Sequence, residues 1–478
     1  MIMTEEKLRK VDPKESTIKD SESTASETIE IPDGGYGLVI ALCFFLYNFC
    51  TWGANSGYAI YLADYLSNNA FPGGGKLDYA AVGGIAFGGG LLFAPVIVHF
   101  SRIYGVQIVI GIGIVCQTAA LLLAAFSKKL WQLYLTQGLL ISFGLASICI
   151  PSFTLVPQWF RNKRTLASGI GTSGSGLGGI IFNLGMQRII EVKSVKWALI
   201  VQCIICSVLS CIALALTRTR TKIIHGNAAK AKSSFKELAV EHLEVFKIFG
   251  MWLLCLWVAF TMLGYVIILY SLSAFTQSLG YNAKKGSYVS CMVSLGGLVG
   301  RPIIGHIADK FGPITVGAIV NLIVAILCWA MWIPCTNFGV AIAFGLLQGA
   351  LIGTVWVIFA SVSARVIGLK RLEKASGVLW VFIALFAIPA PVIGLQLDTD
   401  VIGSKTNYVH TAIFTGFAYF GAALLLYLLR IYIITRDEKS RQHSDDHDNF
   451  DRDETSYTVD IRSFAKNIFS GNIGGRKV

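Results

Sequence analysis

The sequence predicts an all-α membrane protein, twelve transmembrane helices arranged as two six-helix bundles. Three observations carry that expectation. The 478 residues are 54% hydrophobic and only 14% charged, with a mean hydropathy of +0.63, whereas a soluble domain carries about 25% charged residues. The apolar residues gather in uncharged runs long enough to cross a bilayer, which takes about 20 residues. Those runs number twelve and divide evenly about one polar break.

Residues 1–35 are polar, rich in Ser, Thr, Glu and Lys, and contain no apolar core of the signal-peptide kind. They read as a disordered cytosolic tail. The tail ends in Pro32-Asp33-Gly34-Gly35-Tyr36-Gly37, where Asp33 is expected to cap the first helix. The N-terminal bundle, 36–217, holds spans near 36–62, 79–99, 104–126, 131–157, 166–187 and 197–217. A basic loop, 218–249, follows. Within it Phe235, Leu238, Ala239, Leu243, Phe246 and Phe249 fall near one helical stripe, the pattern of a short amphipathic helix on the membrane surface.

The C-terminal bundle, 250–434, holds spans near 250–277, 286–306, 314–334, 339–363, 375–397 and 409–434. No charge occurs from Phe311 to Ala364, a run too long for one helix, so Pro334-Cys335-Thr336-Asn337 supplies the turn inside it. Residues 435–478 form a second polar tail. Lys and Arg set the orientation. One side of the membrane collects 16 of them, including Arg102, Arg161, Lys163, Arg164, Lys310 and Arg365, against 9 on the other. With an even number of spans, both tails and the central loop are expected in the cytosol. The membrane itself, plasma or vacuolar, is left open.

Several function classes fall away. The net charge of +12 is spread between apolar runs rather than along one basic face, so it speaks for orientation and not for nucleic acid. Eleven cysteines lie mostly inside the runs, where they act as small hydrophobes, and Cys203-x-x-Cys206 sits in an uncharged span. Away from their ends the spans contain no Asp, Glu or Lys, which excludes carboxylate pairs and the usual metal clusters. No cofactor is implied, and an enzyme ranks third among the readings. Gly174-Ser175-Gly176-Leu177-Gly178-Gly179 matches a dinucleotide fingerprint in letters only, because no strand precedes it. Gly171, Ser175 and Gly179 instead recur every four residues, a pattern for close helix packing. Gly83, Gly84 and Gly88 to Gly90 read the same way.

Arg301 is the leading candidate for touching a solute. A mid-bilayer arginine costs about 2.5–3.5 kcal/mol on insertion scales, so it faces a cavity or a partner. Asp309, eight residues on, lies about 12 Å along a helix and marks the water boundary. The alternative is that Arg301 snorkels to the headgroups. Polar residues crowd matching places in the two halves: Asn48, Thr51, Trp52, Asn55, Ser56 and Tyr58 in span one, and Thr261, Tyr265, Tyr270, Ser271, Ser273 and Thr276 in span seven. Polar groups avoid lipid, and a solute site at the midplane between two repeats accounts for the match. Hydrogen bonds between helices would account for it as well. Trp356 and Trp380 line a cavity or serve packing, with packing the first choice.

Gly305-x-x-x-Asp309-Lys310-x-Gly312 resembles the loop motif of the major facilitator superfamily, and lies between the second and third spans of the second half. The first-half counterpart, Ala94 to Gly105, keeps only Arg102 and Gly105. Asp33-Gly34-Gly35-Tyr36-Gly37 resembles the entrance signature of the monocarboxylate transporter family, and so does Trp159-Phe160-Arg161-Asn162-Lys163-Arg164-x-Leu166-Ala167-x-Gly169. The chain is most similar to the fungal branch of that family. The resemblance implies the major facilitator fold, alternating access and, in animal members, proton-linked movement of lactate-like anions. It places Arg301-Pro302 at the family's substrate-binding Arg-Pro and Arg164 at its basic residue opening span five. The family's proton-handling Asp is Gly297 here, and its span-one Lys aligns with Ser56.

The expected function is secondary transport of a small organic anion, with Arg301, Asn48, Asn55, Ser56, Tyr265 and Tyr270 as solute-binding candidates. The expected partners are that solute and the lipid bilayer. A membrane sensor on the same fold, without net transport, is the runner-up.

Overall fold

The computed structural model describes residues 33–220, 245–368, 372–397 and 407–444. Most of the expected surface helix after Phe235, like both tails before residue 33 and after 444, lies outside the described residues. Twelve long helices form the protein among those described. The first six are α1 (Tyr36–Gly53, resuming at Tyr58–Ser67), α2 (Leu77–Tyr104), α3 (Val106–Ala125), α4 (Leu130–Trp159), α5 (Arg164–Val192) and α6 (Val195–Leu216). The second six are α7 (Phe249–Ser278), α8 (Ala283–Phe311), α9 (Pro313–Trp332), α10 (Phe338–Ile367), α11 (Leu372–Ala387) and α12 (Val409–Ser444).

Eleven of these helices are long and apolar enough to cross a membrane. The twelfth, α5, is as long at 29 residues but rich in Gly, Ser and Thr. Its composition follows from where it lies. α5 packs along α8 of the other half, and the two backbones nearly touch. A Cβ on Gly169 would fall 2.5 Å from the Arg301 carbonyl oxygen, and one on Gly176 would fall 2.7 Å from the Leu298 nitrogen. Larger residues would push the halves apart. The expected packing role of Gly171 and Gly179 holds too: they abut the Phe44 ring and the Ser294 hydroxyl.

The repeat is visible in local geometry. α2 ends at Gly105 and α8 ends at Gly312, both with φ of 96°, a left-handed conformation that only glycine adopts without strain. Each donates its amide to the carbonyl four residues back, Ser101 and Ala308. The two loops are therefore equivalent in shape although the first has lost most of the motif.

Two boundaries differ from expectation. Asp33 does not cap α1. Position Gly35 precedes the helix, with no side-chain cap, and Asp33, itself at φ 48°, turns its carboxylate toward the loop after α4. α12 runs to Ser444, ten residues past the apolar run ending near 434. The extension is anchored by buried Arg436, which donates to the carbonyls of Arg365 and Val366 at the end of α10. Cations at a helix C-terminus satisfy the last carbonyls and the dipole together.

Candidate functional site: a buried arginine in a cavity between the halves

α8 carries Arg301 inward. Its residue is only 7% exposed, which removes the snorkelling alternative. Nη1 donates to the Thr172 carbonyl and to the Ser175 hydroxyl on α5, and Tyr265 on α7 lines the same cavity. Nε is buried without a partner. Among the described residues no carboxylate pairs with Arg301. A buried cation with an unused donor and no counter-ion is costly, by several kcal/mol per ion in general.

The Nε/Nη2 edge of the guanidinium lies over two residues without side chains. A Cβ on Gly353 would sit 2.5 Å from Nε and 3.1 Å from Nη2, and one on Gly297 would sit 3.6 Å from Nε.

Arg301 lines a cavity of about 180 Å³ bounded by α1, α2, α5, α7, α8 and α10, room for on the order of ten waters. From Arg301 the cavity follows Gly297, Ser294 and Ser290 along α8, away from Asp309. Asn55, Ser56, Tyr265 and Tyr270, all expected at the site, line it. Asn48 does not: its amide turns back to the Phe44 carbonyl at 2.9 Å inside α1. Thr261 and Thr276 likewise bond within their own helix. Among the described residues the wall offers hydroxyl, amide, aromatic and guanidinium groups and no carboxylate or imidazole. Such a donor set suits an anion and not a metal cation.

α1 is irregular where it meets the cavity. A π-turn at Phe49–Gly53 and a break at Ser56-Gly57 interrupt it. The Ser56 hydroxyl bonds the Gly53 carbonyl at 2.7 Å. Interrupted helices of this kind expose backbone groups at solute sites. Beside the cavity Trp52 stacks on Trp356 across the halves, with ring centroids 6.1 Å apart, and Trp356 stacks on Trp380 at 5.7 Å. Trp356 and Trp380 are buried in this layer and serve packing, as expected; Trp52 also lines the cavity.

The motif residues form a second cluster at the Asp309 end. Asp309 accepts the amide hydrogens of Thr165 at 3.0 Å and Leu166 at 2.8 Å. It thereby caps the first turn of α5 from the opposite half, where a negative charge meets the helix dipole. Thr165 and Ser361 hydroxyls add a second bond between halves at 3.0 Å. Gly305 makes this possible, since a Cβ there would lie 2.6 Å from the Thr165 carbonyl oxygen. Asp33 accepts from the Arg161 and Asn162 amides at 2.6 and 2.8 Å and from the Asn162 side chain at 2.8 Å. Burial would raise its pKa, but these bonds outweigh it and hold the carboxyl below its ordinary value. Gly37 packs on Trp159 and Phe160. The two signature stretches thus meet in space, with Gly34 and left-handed Gly35 forming the turn between them. Arg164 feels the charge of both the Asp33 and Asp309 carboxylates, and its Nε donates to the Phe160 carbonyl. Lys310 is exposed and takes no part.

Thr172, Ser175, Asn183, Ser290, Ser294 and Gly353 were not singled out as solute-site residues. The first five are common in any packed span, and Gly353 shows no motif; only the position of Arg301 marks them.

The family model of the Major Facilitator Superfamily matches residues 40–391 and 267–463. "Probable transporter MCH2" of Saccharomyces cerevisiae is 58% identical over 451 residues, covering 94% of this chain and 93% of that protein. "Uncharacterized transporter ESBP6" of the same yeast is 31% identical over 91% of this chain and 65% of its own length. Among solved structures, the Major Facilitator Superfamily transporter FucP in its outward conformation superposes with a TM-score of 0.61 at 16% identity, covering 82% of this chain and 98% of that one. The proton:xylose symporter XylE gives a TM-score of 0.61 at 13% identity, over 82% and 94%.

Proposed function

The chain belongs to the major facilitator superfamily and is a multi-pass membrane transporter, and from that premise we propose that it moves a small organic anion by alternating access, with Arg301 as the binding group. One observation carries the reading: a buried guanidinium faces the cavity between the halves and, among the described residues, no carboxylate neutralises it. Arginine stays protonated at any working pH. A carboxylate entering the cavity beside Gly297 would supply the guanidinium's missing counter-charge. Tyr265, Tyr270, Asn55 and Ser56 would bond its remaining polar atoms.

Alternating access needs contacts that hold one end closed and can be released. Asp309 on the α5 amides and Thr165 on Ser361 fit that role. With the Lys and Arg bias, we place this end and both termini in the cytosol, in the plasma or the vacuolar membrane. The signature stretches at Asp33 and Trp159 favour a monocarboxylate-like solute. Gly297 and Ser56 replace two charges of that family, so a coupled proton, if any, travels on the solute or through groups away from Arg301. No observation favours the sensor alternative.

The test is uptake into vesicles of purified protein, using carboxylates chosen by a thermal-shift screen. Arg301→Leu should abolish uptake while the protein still folds and reaches the membrane. Unchanged uptake would remove Arg301 from the site, and no uptake of any anion by the unaltered protein would sink the reading.

A further inference from the structure

A second cavity lies on the outside of the C-terminal half, away from the solute site. Its volume is about 710 Å³, and it runs between α8 and α9 with α10 at its base. Ile303, Ile307, Phe311, Ile319 and Ile323 line it and are exposed on the surface that faces lipid. From Gly300 to Lys310 the groove follows eleven residues of α8, about 15 Å, which is half of a hydrocarbon core about 30 Å thick.

The charged residues in its wall are both cations, and both lie at one end. Lys310 is exposed in the last turn of α8. Arg430 on α12 is held at the same level by its Nε bond to Thr315, in the first turn of α9, at 3.0 Å. Among the described residues the rest of the wall is apolar apart from Thr315 and contains no carboxylate.

We propose that this groove binds one anionic glycerophospholipid from the leaflet on the Lys310 side, with its phosphate between Lys310 and Arg430 and an acyl chain along Ile303, Ile307 and Ile323. The charge pattern selects this occupant. A neutral solute or a second protein chain needs no pair of cations at headgroup depth, whereas basic pockets between membrane helices recognise anionic headgroups. The groove shares no lining residue with the central cavity, so the two proposals stand or fall separately. Two cations at the surface favour an anionic over a neutral lipid by about thirtyfold.

Native mass spectrometry of the purified full chain, with phosphatidylserine or phosphatidylcholine of identical acyl chains, tests the proposal. We expect a one-to-one adduct with phosphatidylserine and at least tenfold less with phosphatidylcholine. The Lys310→Gln/Arg430→Gln variant should lose the preference and Lys310→Arg should keep it. If the double variant fails to fold, Lys310→Gln alone, at an exposed position, should still reduce it severalfold. Ile307→Trp, which fills the groove without touching the charges, should lower retention of both lipids. Equal retention of the two lipids by the unaltered protein, an unchanged preference in the Gln variants, or a dimer that displaces the lipid would each overturn it.

Discussion

Replacing Gly297 by Asp puts a carboxylate on the uncompensated cation of the cavity wall. Space is available: a Cβ there lies 3.6 Å from Arg301 Nε, 3.8 Å from Cζ and 3.5 Å from the Gly349 carbonyl oxygen, all ordinary contacts. The backbone need not move, and the carboxylate, one bond further out, reaches ion-pair distance. Two unit charges about 4 Å apart attract by about 4 kcal/mol at an effective dielectric constant of about 20. A bound anion draws on the same attraction, and the introduced carboxylate cancels it. Taking only about a third of that value, near 1.4 kcal/mol, anion affinity at neutral pH should fall at least tenfold. Binding can be followed through the fluorescence of Trp52, which lines the cavity, alongside uptake of a labelled carboxylate. Equal or tighter binding at neutral pH would refute the role given to the unpaired charge.

The other predictions probe the supports of the site. Gly353→Ala brings a Cβ to 2.5 Å from Arg301 Nε; the guanidinium is the far end of a flexible side chain, so folding should survive while KM rises at least tenfold, and an unchanged KM in uptake assays would clear Gly353. Asp309→Asn weakens two charge-assisted bonds to the α5 amides, each worth about 1.5–3 kcal/mol at most; cysteine-accessibility labelling should show the Asp309 end opening more often, and unaltered labelling would count against the clamp. Asp33 has a depressed folded-state pKa, so its contribution to stability is present above its ordinary value of 3.8 and is lost as pH falls through the folded value. Asp33→Asn should therefore lower Tm at pH 7, with the difference from the unaltered protein shrinking in acid; a constant difference at all pH values would contradict the assigned bonds.

How much of this was legible beforehand differs by feature. The spans were legible because each must satisfy its backbone internally and hide its polar groups from lipid, which forces long uncharged runs. Arg301 was legible for the same reason, since one charge in such a run stands out. Asn48 and Asn55, by contrast, look alike in letters. One turns back on its own helix and the other lines the cavity, a difference made by the π-turn between them. Asp33 carried the residue type of a cap, but its target was a loop 128 residues away, which no local pattern discloses.

From the amino-acid order alone follow the membrane class, the twelve helices, the likeness of the two halves and the isolation of one buried cation. Each is a local property, written in hydropathy and charge along a single segment. Folding in three dimensions decided what that cation meets: the Thr172 and Ser175 oxygens, the bare backbones of Gly297 and Gly353, and the cavity beside them. Those partners lie on other segments, and their approach depends on how closely glycine lets α5 and α8 come together.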